Sequence, residues 1–175
     1  MVKAHIKFRG VKMTKPVILC IGTNKVPGDS LGPRVGDLLI MKYNIDAYVY
    51  GHTAKPVTGV NYDDYIEHVR LHHKNSLIVA IDACVGKEED IGKVKISSKG
   101  LVAGGALKKN NKLIGDVALV GIVAKADKDN LHALKSADIF LVQKMADVIA
   151  KITISLVKYN YNIKQLFLRE KERIV

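Results

Sequence analysis

Two aspartates in this sequence follow apolar runs of strand length. Asp29 comes after the run Val17–Ile21 and a polar turn, and Asp82 directly follows the run Leu77–Ile81. If both runs are strands of a parallel sheet, the carboxylates lie at its carboxyl edge, where α/β folds keep their sites. Carboxylates a few ångströms apart cannot both ionise cheaply and so share a proton. One can then act as a base toward water while the other donates to a carbonyl oxygen.

The two aspartates could instead have a structural or a metal-binding role. Asp29 could be a helix N-cap, because the helix dipole and the free N–H groups favour an aspartate there. The pair could hold a metal ion, but it needs a third ligand such as histidine, and residues 83–131 contain none. His68 and His72 have a metal-compatible spacing on one predicted helix, without an H-E-x-x-H pattern. We therefore predict no metal and no other cofactor.

Both cysteines lie at or beside the ends of strand-like runs. A free cysteine in such a place usually behaves as a small buried hydrophobe, so we expect no disulfide between Cys20 and Cys84. Cys84 follows Asp82 closely and could be a nucleophile, but no histidine lies near it in the sequence to activate it. The buried role is the one we predict.

Alternating strands and helices would position the two aspartates. We predict five strands: Val17–Ile21, Asp46–Tyr50, Leu77–Ile81, Lys93–Ser97 and Gly115–Val123. Three helices are predicted. The first begins at Ser30 or Leu31, and the second follows Asn61 as its N-cap and has an apolar stripe of Tyr65, Ile66 and Val69. The third covers Leu131–Leu156, and its apolar stripe includes Leu134, Met145 and Val148. The first strands are apolar enough to be buried on both faces. This order predicts an α/β fold, a three-layer α/β/α sandwich with a mostly parallel central sheet of the phosphorylase/hydrolase-like kind.

Length and charge limit the functional classes. The 175 residues fit one domain, 1–175, with 1–15 as a basic lead-in and 158–175 as a basic C-terminal tail. The net charge of +11 is concentrated in those two ends, so we do not expect nucleic-acid binding. No apolar stretch approaches the roughly 20 residues that span a bilayer, and the N-terminus lacks a signal core. We therefore expect a cytoplasmic protein without a membrane partner.

Four segments form a combined motif. They are Gly22-Thr23 with Gly28-Asp29-Ser30-Leu31-Gly32-Pro33, Pro56-Val57 with Gly59-Val60-Asn61, Ile78-Val79-Ala80-Ile81-Asp82-Ala83-Cys84, and Gly104-Gly105 with Gly115-Asp116 and Gly121-Ile122-Val123. Over roughly residues 16–155 the combination resembles the YyaC type of sporulation protein, a family often labelled a spore protease and related to germination protease. The same fold resembles, more distantly, the hydrogenase-maturation endopeptidases.

The resemblance implies a function and a site. Germination protease degrades small acid-soluble spore proteins and is thought to use two aspartates without metal, and its motif positions match Asp29 and Asp82. The resemblance therefore implies an aspartate-dependent endopeptidase that acts on a protein or peptide substrate, such as these spore proteins, in the forespore. We expect a homo-oligomer. The predicted substrate-binding residues around the pair are Asn24, Ser30, Cys84, Gly104 and Gly105.

Two departures from the relatives leave alternatives open. The chain is much shorter than germination protease and lacks the segments that shape its substrate groove, and Ala103-Gly104-Gly105-Ala106 replaces a glycine- and proline-bearing loop. Hydrogenase-maturation endopeptidases bind a metal through two acids and a histidine, and this chain matches the acids alone. The peptidase hypothesis therefore stands beside a non-catalytic sporulation protein that uses the fold for binding, and beside a metal-dependent maturation endopeptidase.

Overall fold

The computed structural model describes residues 14–102 and 113–172. Its elements are β1 (Val17–Cys20), α1 (Leu31–Asp37), β2 (Tyr48–Tyr50), α2 (Tyr62–His72), β3 (Ile78–Gly86), β4 (Val94–Ser97), β5 (Leu101–Val102), β6 (Leu113–Ile114), β7 (Val117–Lys125), α3 (Asn130–Lys135) and α4 (Ile139–Glu172). A 3-10 turn, Gly28–Ser30, leads into α1, and a π-helical turn, Leu38–Lys42, continues it. The predicted site residues Gly104 and Gly105 lie outside the described residues.

A five-stranded sheet in the order β2-β1-β3-β7-β4 forms the middle of the fold. The first four strands are parallel, with Val17 opposite Ile78 and Val79 opposite Val117, and β4 is antiparallel to β7. The two long inner strands are β3 and β7, which explains their almost uninterrupted apolar sequences. The prediction of an α/β fold with a mostly parallel sheet, and with β1 and β3 inside it, is confirmed.

One face of the sheet packs against α1 and α4. Alternate side chains of the inner strands point to this face and are buried there together with side chains of both helices: Ile18, Cys20, Val79, Ile81 and Leu119 from the strands, and Val35, Val142, Met145 and Ile149 from the helices. Because α4 and α1 meet over this surface, the turn that precedes α1 is held against the end of the sheet.

The opposite face carries a smaller core. Leu19, Ile21 and Ala80 of the sheet pack with Val57, with Ile114 and Leu101 of the β5–β6 pair, and with Tyr62, Tyr65 and Ile66 of α2. Helices therefore cover both faces, which gives the three layers that the sequence predicts. This α2 face is also the one toward which the even-numbered residues of β3 point.

The C-terminal helical region differs from the prediction of one helix over Leu131–Leu156. α3 ends at Lys135 and α4 begins at Ile139, because Asp138 accepts a hydrogen bond from the backbone N–H of Phe140 at 2.8 Å and so caps a new helix. The buried face of α4 includes Met145, whereas Val148 is 49% exposed and does not belong to the core as predicted.

α4 is longer than the helix that the sequence predicts. Residues 158–172, predicted as part of a basic tail, are helical, and the helix has 34 residues in all. None of the helices in the described ranges is both long and apolar enough to cross a membrane. The organisation of the whole chain as one domain stays a prediction.

Candidate active site

The first predicted site residue, Asp29, is placed by a tight connection after β1. The backbone N–H of Ile21 bonds to the Ile81 carbonyl and that of Gly22 to the Val57 carbonyl, both at 2.8 Å, so the chain leaves the sheet at its carboxyl edge. Gly22 has a φ of +135°, which favours glycine. The following turn brings the Asp29 carboxylate back to accept a hydrogen bond from the Thr23 N–H at 2.8 Å.

Asp29 is not the N-cap that one alternative predicted. It lies inside the 3-10 turn Gly28–Ser30, and α1 begins at Leu31 with Ser30 in the cap position and no side-chain cap bond. Its carboxylate bonds to Thr23, before the helix. Asp29 therefore closes the turn that joins β1 to α1, and its side chain faces back toward the strand end.

The second predicted residue, Asp82, lies within β3 rather than after it, because β3 extends to Gly86. Strand alternation places it on the same face as Ala80, the face that packs against α2. Its carboxylate accepts a hydrogen bond from the Ala83 N–H at 2.8 Å. Asp82 is partly buried, lies one residue beyond the last residue of β3 that pairs with β1, and belongs to the strand on which the Asp29 turn packs.

The charge of Asp29 acts on the Asp82 carboxyl group. Burial raises the pKa of Asp82 to about 7, the Ala83 N–H opposes this, and the charge of Asp29 raises the pKa further. Burial also raises the pKa of Asp29 above its ordinary value, against the Thr23 N–H. The 3-10 turn packs directly on β3. The structure thus brings the two predicted acids to one region of the fold, and their action as a dyad stays a prediction.

This arrangement suits acid–base chemistry near neutral pH. With a pKa near 7, Asp82 keeps an abundant protonated form that can donate a proton, whereas an unperturbed aspartate is ionised. Each carboxyl uses one oxygen for a backbone N–H, so each has a second oxygen that can face a reactant. A proton donor and a proton acceptor can therefore coexist at this edge of the sheet.

Tyr62 is a residue of this region that the sequence reasoning missed. It is the first residue of α2 and packs on the sheet face that carries Asp82. Burial, then the charge of Asp82, raises the pKa of Tyr62 to about 12. Its hydroxyl oxygen is buried and has no hydrogen-bond partner within the part of the chain that the structure describes. The position of Tyr62 at the start of a helix, just after the loop that bonds to the end of β1, was the available sequence clue.

Asn61 occupies the predicted N-cap position of α2, but its side chain supports the loop before the helix. Its side-chain oxygen accepts from the Thr58 N–H at 2.8 Å, and its side-chain amide donates to the Pro56 carbonyl at 3.1 Å. It makes no side-chain bond to the first turn of α2. By holding the loop from Pro56, Asn61 fixes where the neighbouring Tyr62 enters the fold.

Cys84 shares the Asp82 face of β3 and is partly buried. Burial raises the pKa of its thiol, Lys95 lowers it and the charge of Asp82 raises it. A thiol with a raised pKa is a poor nucleophile at neutral pH, which agrees with the predicted non-nucleophilic role. Cys20 is fully buried in the core on the other face. Both cysteines are free, and they lie on opposite faces of the sheet.

The remaining predicted substrate-binding residues have other bonds. Asn24 is exposed, and its side-chain amide donates to the Thr53 carbonyl at 3.4 Å. Ser30 is 1% exposed; its hydroxyl donates to the Pro27 carbonyl at 2.6 Å and accepts from Arg34 Nε at 3.0 Å. These contacts give Ser30 a role inside the turn that carries Asp29. Substrate contact by these residues stays a prediction.

The donor set of the site does not fit a metal ion. No group of three or more histidine, cysteine, aspartate or glutamate side chains has metal-binding geometry among residues 14–102 and 113–172. His68 and His72 stack on each other with ring centroids 4.3 Å apart, and Tyr50 bonds to His68 at 3.2 Å and to His73 at 2.8 Å. The histidines thus form an aromatic cluster beside β2 and supply no third ligand to the aspartates.

The chain matches a protein family and a bacterial relative. The model of a family described as "Protein of unknown function (DUF1256)" matches residues 2–152. The chain is 36% identical over 135 residues to YyaC of Bacillus subtilis (strain 168), described as an uncharacterized protein. That match covers 77% of this chain and 66% of YyaC, just under two-thirds of its length. The predicted resemblance to the YyaC type is confirmed, and the link to germination protease stays a prediction.

Two solved structures resemble the fold. HycI from Thermococcus kodakarensis KOD1, a NiFe hydrogenase maturation protease, has a TM-score of 0.55 at 18% identity, covering 83% of this chain and 93% of HycI. HybD, a NiFe hydrogenase maturation protease from Thermococcus kodakarensis, has a TM-score of 0.44 at 18% identity, covering 79% of this chain and 99% of HybD. The predicted likeness to the maturation endopeptidases is confirmed at the level of the fold by HycI.

Proposed function

The chain belongs to the DUF1256 family, and we propose that it is a peptidase that hydrolyses peptide bonds of a protein substrate with Asp29 and Asp82. One observation carries the proposal: Asp82, a partly buried aspartate whose pKa is raised to about 7, lies in the central strand β3 just beyond its last residue paired with β1, within electrostatic reach of a second aspartate. Perturbed acids at the edge of a parallel sheet are candidates for catalysis.

The two carboxyl groups suit opposite roles. Asp82 is the stronger candidate for the acid, because burial keeps its proton near neutral pH. Asp29 is the candidate for the base, because the Thr23 N–H stabilises its ionised form while burial makes that form more basic. Different environments for two neighbouring carboxyl groups are the usual way in which one fold provides an acid and a base.

The reaction then needs only these groups and water. Asp29 takes a proton from water as the water oxygen bonds to the peptide carbon, and Asp82 gives its proton to the carbonyl oxygen, which leaves a tetrahedral diol. Asp29 then passes its proton to the amide nitrogen as the C–N bond breaks, and a diol hydroxyl returns a proton to Asp82. One water is consumed, and both carboxyl groups return to their starting forms.

The fold supports the same class of reaction. HycI, which shares this fold, is a maturation protease. The donor set here does not supply three metal ligands among the described residues, so the proposal uses no metal. A spore protein substrate, and the forespore as the place of action, are further parts of the proposal that rest on the resemblance to the YyaC type. The match does not extend over the whole of YyaC, and the description of YyaC as an uncharacterized protein names no substrate.

A cleavage assay in heavy-oxygen water tests the proposal. The protein is incubated with a peptide library from a bacterial proteome digest and, separately, with small acid-soluble spore proteins, and mass spectrometry identifies new termini that carry one heavy oxygen. We expect cleavage by the wild type, and losses of about 10²–10⁴-fold in both Asp29→Asn and Asp82→Asn. The double variant should lose little more, because residues that act as one unit are not additive.

Asp116→Asn is the matched control. Asp116 also accepts one backbone hydrogen bond, from the Ile78 N–H at 2.8 Å, but it lies at the opposite, amino-terminal edge of the sheet. Its substitution removes a carboxylate of the same type and should leave cleavage unchanged. Equal cleavage by the wild type and both site variants would contradict the aspartate pair. No cleavage of either substrate set would favour the binding-protein alternative, and loss of cleavage only with a chelator would favour a metal enzyme.

A further inference from the structure

Burial of the Tyr62 hydroxyl costs free energy of folding. Its oxygen is buried, and within the described ranges no group accepts from it or donates to it. A buried polar group without a partner loses its bonds to water and gains nothing in return. Phenylalanine would fill the same space against Leu19, Ile21 and Ala80 without this cost. Packing alone therefore does not account for a tyrosine at this position.

The surroundings of the hydroxyl indicate what its partner would be. Tyr62 packs against the apolar cluster that includes Ala80, and Asp82 is the next residue of β3 on the same face as Ala80. The charge of Asp82 is also near enough to act on the phenol. Within the described ranges this donor is unused, and it lies on the sheet face that carries Asp82, one of the two proposed catalytic acids.

We propose that Tyr62 is a third catalytic residue of this site, whose hydroxyl donates a hydrogen bond to the carbonyl oxygen of the peptide bond that Asp29 and Asp82 hydrolyse. This inference rests on the proposed peptidase function and adds an electrostatic role to it. A preorganised donor aimed at the oxygen where negative charge develops is often a large contribution to catalysis. Among the described residues the hydroxyl has no hydrogen-bond partner that a substrate would have to displace.

The protonation state of Tyr62 fits this role. A pKa raised to about 12 keeps the phenol protonated at every pH where the protein would work. Tyr62 would therefore act as a hydrogen-bond donor and leave the proton transfers to the two carboxyl groups. The proposal also specifies the ligand: a main-chain carbonyl, rather than a charged side chain, would accept the hydrogen bond from Tyr62.

Tyr62→Phe is the test, with Tyr65→Phe as the matched control. Tyr65 is on the same helix and in the same apolar cluster, and its ring contacts the Tyr50 ring edge-on with centroids 6.0 Å apart. For the library peptide that the wild type cleaves best, Tyr62→Phe should lower kcat by about 10²–10³-fold with little change in KM. Its melting temperature should hold or rise, since an unpartnered buried hydroxyl is removed. Tyr65→Phe should retain the wild-type kcat.

A measurement without substrate tests the position of Tyr62 separately. In protein labelled with ¹³C at tyrosine Cζ, the Tyr62 resonance, assigned by its loss in Tyr62→Phe, should change as Asp82 titrates near pH 7. This change should disappear in Asp82→Asn, and the Tyr65 resonance should not show it. A Tyr62 resonance that is indifferent to Asp82 would overturn the inference.

The possible failures can be told apart. Cleavage by the wild type that is unchanged in Tyr62→Phe overturns the role of Tyr62 and leaves the peptidase proposal standing. An equal loss of kcat in Tyr62→Phe and Tyr65→Phe also overturns it, because packing would then explain both. No cleavage by the wild type overturns both proposals together.

Discussion

The carbonyl oxygen of Asp29 occupies the space that a Cβ atom at Gly22 would need. Gly22 has a φ of +135° and lies at the start of the connection that follows β1. The turn that carries Asp29 packs directly against Gly22. The obstacle is backbone rather than a movable side chain. The position of the Asp29 carboxylate therefore depends on a residue that takes no part in the proposed chemistry.

Gly22→Ala should accordingly lower stability and activity together. The positive φ and the contact with the Asp29 backbone should together cost about 3 kcal/mol or more in the free energy of unfolding. Gly92→Ala is the control, since Gly92 also has a positive φ, +87°, but its nearest obstacle is the end of the Leu141 side chain at 3.5 Å. Urea unfolding of the two variants would compare them. Equal losses would show that strain at φ, and not the Asp29 turn, dominates.

The raised pKa of Asp82 predicts a stability that falls with rising pH. The folded-state pKa is about 7 against an ordinary value of 3.8, so unfolding releases a proton between these values, and stability is lost as pH rises from about 4 to about 7. At 1.36 kcal/mol per pKa unit the effect is about 4 kcal/mol. Asp82→Asn should remove it and make the protein more stable than the wild type at about pH 8.

Urea unfolding at several pH values measures this effect. Glu67→Gln, a change of an exposed acid on α2, is the control and should keep the pH dependence of the wild type. If Asp82→Asn and the wild type have parallel stability profiles, Asp82 ionises normally and its role as a proton donor is wrong.

The pH dependence of cleavage should also report the ionisation of Asp82. If protonated Asp82 is the acid, kcat/KM should fall above about pH 7 as the free enzyme loses that proton. Because the two carboxyl groups interact, the limbs of the profile belong to the pair. Initial rates at low substrate concentration, from about pH 4 to about pH 9, would give the profile. A rate that continues to rise through pH 8 would contradict this assignment of the acid.

The histidine cluster beside β2 predicts the opposite trend at acid pH. Burial, followed by the charges of His68 and His72, lowers the pKa of His73, which bonds to the Tyr50 hydroxyl at 2.8 Å. The unfolded chain then binds more protons as pH falls below about 6.5, so the folded protein loses stability there. His73→Gln should weaken this loss, whereas His132→Gln, at an exposed site on α3, should not. Melting temperatures between about pH 5 and about pH 8 would decide.

The sequence predicted the parts of the fold that depend on local patterns. The runs Val17–Ile21 and Leu77–Ile81 became inner strands because continuous apolar sequences need cover on both faces. It did not predict the break between α3 and α4. The periodicity of apolar residues continues across the break, while the cap at Asp138 is a single polar bond.

The two acids of the candidate site could be predicted from the sequence, but the contacts of the residues around them could not. Asp29 and Asp82 could be named because each follows a strand-like run. The bonding of Ser30 within its own turn, and the buried hydroxyl of Tyr62, depend on how separate elements meet in space. The position of Tyr62 at the start of α2 does not reveal that its hydroxyl is buried, because Tyr62 and Tyr65 pack on the same apolar face of the sheet.

The register of β1 on β3 has a consequence for biosynthesis. Val17 lies opposite Ile78 in a parallel pair, so β1 has no inner neighbour until β3 has been synthesised, and β3 in turn needs β7. Parallel pairs of such sequence separation close slowly, since the chain loses entropy before it gains contacts. Until β3 has been synthesised, the nascent chain holds Asp29 without Asp82. Under the proposed function, proteolytic activity would therefore arise only after β7 has been synthesised and the sheet around both acids can form.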